Sequence, residues 1–396
     1  MAKKLFPIAS VALALVVLLL LAAAVYGQRG RRRNQPDRPI LQTVSALPLG
    51  ATSPADNPAT SAKVSLGRLL FWDPILSGNR DVACATCHHP KFGYAENLDV
   101  SIGVNGVGLG GARRFAAPNA IPFVKRNSQT ILNTAFNGIG QDGSYNPAAA
   151  PMFWDRRASG LEAQALIPIQ TFEEMRGHAY TEERALETVV ARLRAIPEYR
   201  QLFAEAFGRG QDVASENLGK ALAAFQRSLL ANRSPFDRYM RGDTGAMTAA
   251  QVRGMRRFEQ VGCILCHNGP MFSDFQVHTL SVPDNPKLPA SDGGFESSYA
   301  FRTASLRNLA FTAPYMHSGA FSTLREVLDF YDRVRRRSRN PNVASNQLDP
   351  LLRELRDPDD RSGDLIEFLQ ALNDDAFDKT IPARVPSSLP PGGRIE

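Results

Sequence analysis

The four cysteines of this 396-residue chain fall in two copies of one pattern, Cys84-Ala85-Thr86-Cys87-His88 and Cys263-Ile264-Leu265-Cys266-His267. Two thiols at that spacing can cycle as a redox dithiol, grip half of a zinc ion, or form thioethers to the two vinyl groups of a haem. Only the third use also explains the histidine after each second cysteine, since it brings an imidazole beneath the iron as proximal ligand. A thioredoxin-like dithiol needs alternating strands and helices around it, and none are visible. Zinc held by two Cys-x-x-Cys pairs usually draws on pairs much closer than the 179 residues between Cys84 and Cys263. The pattern therefore predicts two covalently bound haem c groups, with His88 and His267 on the irons. His89 adjoins His88 on the same side of the ring and is expected to be solvated.

The elements that must position these residues read as helices. Apolar periodicity predicts them at 61–71, 159–167, 181–195, 198–207, 213–231, 248–261, 323–334 and 361–372. Thr248 with Gln251 and Thr323 with Glu326 spell capping-box starts for two of them. No run alternates as strands do. The expected fold is all-α: two cytochrome c-type haem domains with long irregular loops, residues 61–234 and 235–396, and a C-terminal tail able to pack back on the first. The seam falls near Ser234, in "LLANRSPFDRY". In "GVNGVGLGGARRF", Gly106, Gly108 and Gly111 happen to spell G-x-G-x-x-G; without a strand before it or a helix after, it reads as a mobile loop.

Residues 1–27, "MAKKLFPIASVALALVVLLLLAAAVYG", read as a signal peptide or membrane anchor, and 28–60 as a Pro- and Thr-rich linker. The formal charge is +7, but Lys3, Lys4, Arg29, Arg31, Arg32 and Arg33 stand in residues 1–33, which hold no acid, and this leaves +1 for the rest. A nearly neutral body argues against nucleic acid as a partner. The arginines of "YDRVRRRSRN" read as a solvated helix end. Arg29–Arg33 would favour a cytoplasmic body by the positive-inside rule. Haem c, attached outside the cytoplasm, argues for export and outweighs it. The expected location is periplasmic, soluble or tethered to the inner membrane.

Longer stretches resemble the bacterial di-haem cytochrome c peroxidase family, which includes MauG: "LGRLLFWDPILSGNRDVACATCH", "RNSQTILNTAF", "MFWDRRASGLEAQALIPIQTFEEM", "GCILCH" and "FRTASLRNLAFTAPYMHSGAFSTLREVLDFY". The resemblance implies a peroxidatic haem on Cys84 and Cys87, an electron-transferring haem on Cys263 and Cys266, and a calcium ion between the domains. It implies Trp154 as a relay, Glu174 as the distal acid–base and Gln164 as a polar neighbour. Asn127, Thr312 and Pro314 match positions that hold the calcium, the last two through backbone carbonyls. Neighbouring Glu173 reads as an acid on a wet face.

Two positions depart from the cytochrome-dependent peroxidases. Where those carry a histidine that caps the first iron, "SIGV" offers Val104, so the iron is expected to keep an open face unless His178 swings in. For the sixth ligand of the second haem the matching position is Tyr331. Leu324, Val327, Leu328 and Tyr331 share one face of the capped helix, and Met316 is the rival. An anionic tyrosinate stabilises oxidised iron where methionine favours electron collection. The expectation is a MauG-like peroxidase that reduces hydrogen peroxide and draws electrons from a small cytochrome, a cupredoxin or an oxidisable protein substrate. A conventional peroxide-detoxifying cytochrome c peroxidase and a non-catalytic di-haem carrier or redox sensor are the alternatives. A homodimer is left open.

Overall fold

The computed structural model describes residues 43–210, 213–360 and 363–396; the expected leader and most of the linker lie outside them. Its α-helices are α1 (Ser61–Trp72), α2 (Cys84–Cys87), α3 (Leu161–Gln164), α4 (Ile167–Gln170), α5 (Ala185–Ala195), α6 (Pro197–Phe207), α7 (Ser215–Ser228), α8 (Pro235–Met240), α9 (Ala249–Val261), α10 (Leu324–Val334) and α11 (Asp364–Gln370). Among the described residues no helix is long and apolar enough to cross a membrane.

The helix starts follow from side chains near in sequence. Thr248 Oγ1 accepts the Gln251 N–H while the Gln251 side chain accepts the Thr248 N–H, and Thr323 and Glu326 do the same. The helix expected over 159–167 breaks into α3 and α4, because Pro168 has no N–H to give to Gln164. Helix α8 stands where a seam was expected, its first turn closed by Ser234 and Asp237.

Residues 43–396 form one compact unit containing two main cores. The first is built on α1 crossing α7, with Leu66, Leu70, Phe71, Leu222 and Phe225 buried. The second is built on α9 crossing α11, with Met255, Phe258, Leu365 and Phe368 buried. Each crossing is tight for the same reason: a Cβ on Gly67 would overlap Ala221, and one on Gly254 would overlap Asp364. A third cluster, Leu47, Phe136, Ile139, Met271 and Phe275, draws on both halves of the chain. At α8, Asp237 pairs with Arg307 at 2.8 Å, both fully buried.

Residues 373–396 return to the first core. Phe377 and Val385 are buried in it, Asp378 pairs with Arg68 at 2.5 Å, and Ser387 Oγ donates to Asp73 at 2.6 Å. Thr86 Oγ1, in the first Cys-x-x-Cys-His set, donates to the Gly392 carbonyl at 2.8 Å.

Two expectations are corrected. Strand is present, as three two-stranded antiparallel ribbons of two residues a side: β1 (Gly106–Val107) with β2 (Arg114–Phe115), β3 (Pro151–Met152) with β4 (Ala158–Ser159), and β5 (Val277–His278) with β6 (Phe301–Arg302). The glycine-rich stretch expected as a mobile loop is the first of these. Arg113, 4% exposed, fixes it by donating to the carbonyls of Ile102, Gly103, Gly108 and Arg394.

Candidate active site

His88 ends α2, and its Nδ1 lies 3.1 Å from the Tyr94 carbonyl. His267 repeats the arrangement, with Nδ1 2.9 Å from the Phe272 carbonyl. A carbonyl can only accept, so Nδ1 carries the proton in each ring and Nε2 is the bare nitrogen. Burial lowers both imidazole pKa values, which keeps them neutral as a metal requires. The four cysteines are unpaired with one another. Burial pushes the Cys84 and Cys263 thiols up to about 12, against the thiolate character that a redox dithiol needs.

Both Cys-x-x-Cys-His sets line one continuous cavity of about 610 Å³. The donor chemistry fits haem at both ends: two thiols and one bare imidazole nitrogen on the wall of a largely apolar space.

The cavity gathers most of the residues singled out in the sequence. Glu174, Gln164 and Trp154 line it. Glu174 lies on a π-helical turn, Phe172–Arg176, whose backbone is held from outside: the Glu174 carbonyl accepts Val104 N–H at 3.1 Å and the Met175 carbonyl accepts Gly78 N–H at 2.7 Å. Burial pushes the Glu174 carboxyl up to about 7; Arg157 pulls it down and Glu173 adds to the rise. Trp154 donates its Nε1–H to the Asn127 carbonyl at 3.0 Å.

Leu324, Val327, Leu328 and Tyr331 all line the cavity, so the apolar face of α10 is turned to it. Burial raises the Tyr331 phenol above its ordinary value. Met316 lines the same space at a positive φ of 72°. Asn127, Thr312 and Pro314 line it too. The Asn127 amide nitrogen donates to the Leu98 carbonyl at 2.7 Å, which leaves its Oδ1 as the side-chain donor for a cation.

Other residues fall elsewhere. Val104 is buried in the first core, and His178 is exposed, with its ring edge-on to Phe172 at 4.8 Å; neither lines the cavity. His89 is not solvated: it is 6% exposed, edge-on to Trp72 at 5.5 Å, and burial lowers its pKa to about 4. The neighbouring Pro90 starts a tight turn that folds the ring inward. Glu173 is half-buried on the cavity wall rather than on a wet face.

A family model described as "Di-haem cytochrome c peroxidase" matches residues 61–245. A MauG from Methylorubrum extorquens is 33% identical over 354 residues, 88% of this chain and 89% of that protein. The chain belongs to the di-haem cytochrome c peroxidase family. A cytochrome c551 peroxidase of Pseudomonas aeruginosa is 32% identical over 337 residues, 82% of this chain and 84% of that one. Among solved structures, a MauG-like protein associated with microbial copper homeostasis superposes with a TM-score of 0.65 at 27% identity, covering 83% of this chain and 95% of that one. As a di-haem peroxidase family member the chain is an oxidoreductase with two haems, a peroxide substrate and a redox partner. The two relatives stand at nearly equal identity, so identity alone does not separate the branches.

The peroxidase also carries cavity residues that the sequence reading gave no part. His317 is 5% exposed, stacks on Phe301 with ring centroids 3.5 Å apart, and meets Trp154 edge-on at 6.3 Å. Burial lowers its pKa to about 4, so the ring is neutral. Its place beside Met316 was the only available signal. Cys266, Asp274 and His278 bring ligand atoms within 4.8 Å of one another. His278 is already held on both nitrogens, by Asp274 at 3.0 Å and Asp349 at 2.6 Å, which makes it an ion-pair centre rather than a metal seat.

Proposed function

We propose that this chain is a periplasmic peroxidase of the MauG-like branch, with peroxide reduced at the His88 end of the cavity and the His267 end completed by Tyr331. Haem at these seats supplies iron that binds peroxide and exchanges single electrons. Glu174 is the group that would hold a proton and move it between the two oxygens of a peroxide, a task suited to a carboxyl pushed up to about 7. Gln164 presents an amide on the same wall to orient the peroxide.

Trp154, on the cavity wall, is the oxidisable side chain assigned to relay an electron between the two ends. Asn127 Oδ1 with the carbonyls of Thr312 and Pro314 forms the oxygen set for calcium, a hard cation. Val104 in the first core and the outward His178 leave the His88 end without a histidine cap, which supports peroxide binding without prior reduction.

The observation that carries the MauG-like reading is the half-buried Tyr331 on the cavity face of α10: no hydrogen-bond acceptor or donor for its hydroxyl is found among the described residues. A phenol on the cavity wall without a protein partner is free to take iron as one. Met316 on the same cavity favours a second reading, a conventional cytochrome c peroxidase with a His267/Met316 haem.

Electron paramagnetic resonance and optical titration of the resting holoprotein test the choice, with Tyr331→Phe and Met316→Leu compared. The expected result is two covalent haems in both variants and a changed second-haem signal only in Tyr331→Phe. A signal that changes only in Met316→Leu would overturn the Tyr331 assignment. Absence of any peroxide consumption, with or without a reduced small cytochrome, would leave only a carrier or sensor.

A further inference from the structure

Several buried or half-buried arginines on or near the cavity are matched to carboxylates. Arg307 pairs with Asp237 at 2.8 Å, Arg126 with Asp292 at 2.5 Å and Asp155 at 2.6 Å, and Arg227 with Glu162 at 2.9 Å. Arg302 differs. It is 6% exposed and lines the cavity, yet among the described residues no carboxylate reaches it. Its Nε–H donates to the Phe153 carbonyl at 2.9 Å, Nη1 to the Thr303 carbonyl at 3.4 Å and Nη2 to Gln129 Oε1 at 3.1 Å. A guanidinium has about five N–H donors, so one remains on each terminal nitrogen. Burial pulls the group down to about 10, and Arg156, of like sign, adds to that pull.

We infer that Arg302 is the seat of a haem propionate, its two remaining N–H donors taking a carboxylate that the cofactor carries into the cavity. Each haem brings two propionates on the edge opposite its thioethers, and a buried anion needs a paired cation as much as Arg302 needs an anion. The planar fork of guanidinium suits a carboxylate.

The seat is tied to its surroundings by backbone. Arg302 N–H donates to the Trp154 carbonyl at 2.7 Å, and Gln129 follows Ser128, whose hydroxyl lies 3.3 Å from His88 Nδ1. Arg302 is thus a positioning residue that orients the macrocycle beside Trp154. Its positive charge would offset the propionate's negative charge, which left alone would favour oxidised iron and lower the potential. The inference rests on the haem content of the family and not on the roles given to Tyr331 or Glu174.

The test is an optical redox titration of the holoprotein across pH, on wild type, Arg302→Gln and Arg302→Lys, with covalent haem counted in each. The expected result is two haems throughout. In Arg302→Gln one midpoint potential shifts negative and becomes pH-dependent, because a propionate without its cation titrates; Arg302→Lys stays near wild type. Unchanged potentials in a two-haem Arg302→Gln protein would overturn the inference, as would equal shifts in both variants, the mark of a merely structural residue. Fewer than two haems in wild type would instead overturn the haem assignment itself. If Arg302→Gln does not fold, redox-difference infrared spectroscopy of wild type with isotopically labelled arginine decides: propionate bands that move with the label support the seat, and bands that do not move overturn it.

Discussion

The indole Nε1–H of Trp154 donates to the backbone carbonyl of Asn127, and the Asn127 N–H in turn donates to the His317 carbonyl at 2.7 Å, so one residue spans the tryptophan and the loop beside it. A carbonyl oxygen does not take up a proton at neutral pH. An indole that loses an electron here keeps its proton, and transfer through it is expected to be insensitive to pH. Trp154→Phe should retain both haems and cost about 1 kcal/mol for the lost hydrogen bond. It should also slow the spectral response of the second haem to peroxide, which rapid mixing would record; an unchanged response would remove Trp154 from the path.

Glu174 gives a pH dependence with a definite sign. Its carboxyl is protonated below about 7 and cannot then act as a base, so peroxide consumption should rise with pH through that value and level off above it. Glu174→Gln should lower the rate by about 10²–10⁴-fold and flatten the profile. For stability the sign is opposite. The folded state keeps a proton that the unfolded chain releases near 4.5, so stability falls as pH rises from about 4.5 to about 7. Urea titrations at several pH values should show that slope in wild type and lose it in Glu174→Gln.

Gly103 packs against the turn that carries Glu174. A Cβ at this position would overlap the carbonyl oxygens of Glu173 and Glu174. Gly103→Ala should therefore displace Glu174 while both haems remain attached, with peroxide turnover falling far more than melting temperature. A fall in both together would mean general unfolding.

The Asp237–Arg307 pair predicts a stability effect without chemistry of its own. Asp237→Ala strands a buried guanidinium and should cost about 3–5 kcal/mol by denaturant unfolding. It should also loosen Leu47, whose N–H donates to Asp237 Oδ1 at 3.0 Å.

Motifs read well in the sequence where their partners are near in the chain. The Cys-x-x-Cys-His sets, the capping boxes and the apolar face of α10 are all spelled within a dozen residues. The π-helical turn under Glu174 was invisible because Gly78, Gly103 and Val104 hold it from distant segments. Glycines 106 to 111 looked loose because the carbonyls that Arg113 binds cannot be counted from sequence. His89 looked wet because nothing beside it announces Trp72, and Arg302 gave no signal because an unmatched charge shows only when its neighbours are known.

The returning tail gives the fold a long sequence span to close. Arg68 meets Asp378 across 310 residues, Thr86 meets Gly392 across 306, and Asp73 meets Ser387 across 314. Such pairings form late, since loop-closure entropy is lost before the contacts repay it. The core around Cys84–His88 is thus expected to stay unsealed until Trp72 and Tyr94 meet residues 377–395. That order would leave an interval in which a bulky planar group could reach Cys84 and Cys87 before the wall behind them shuts.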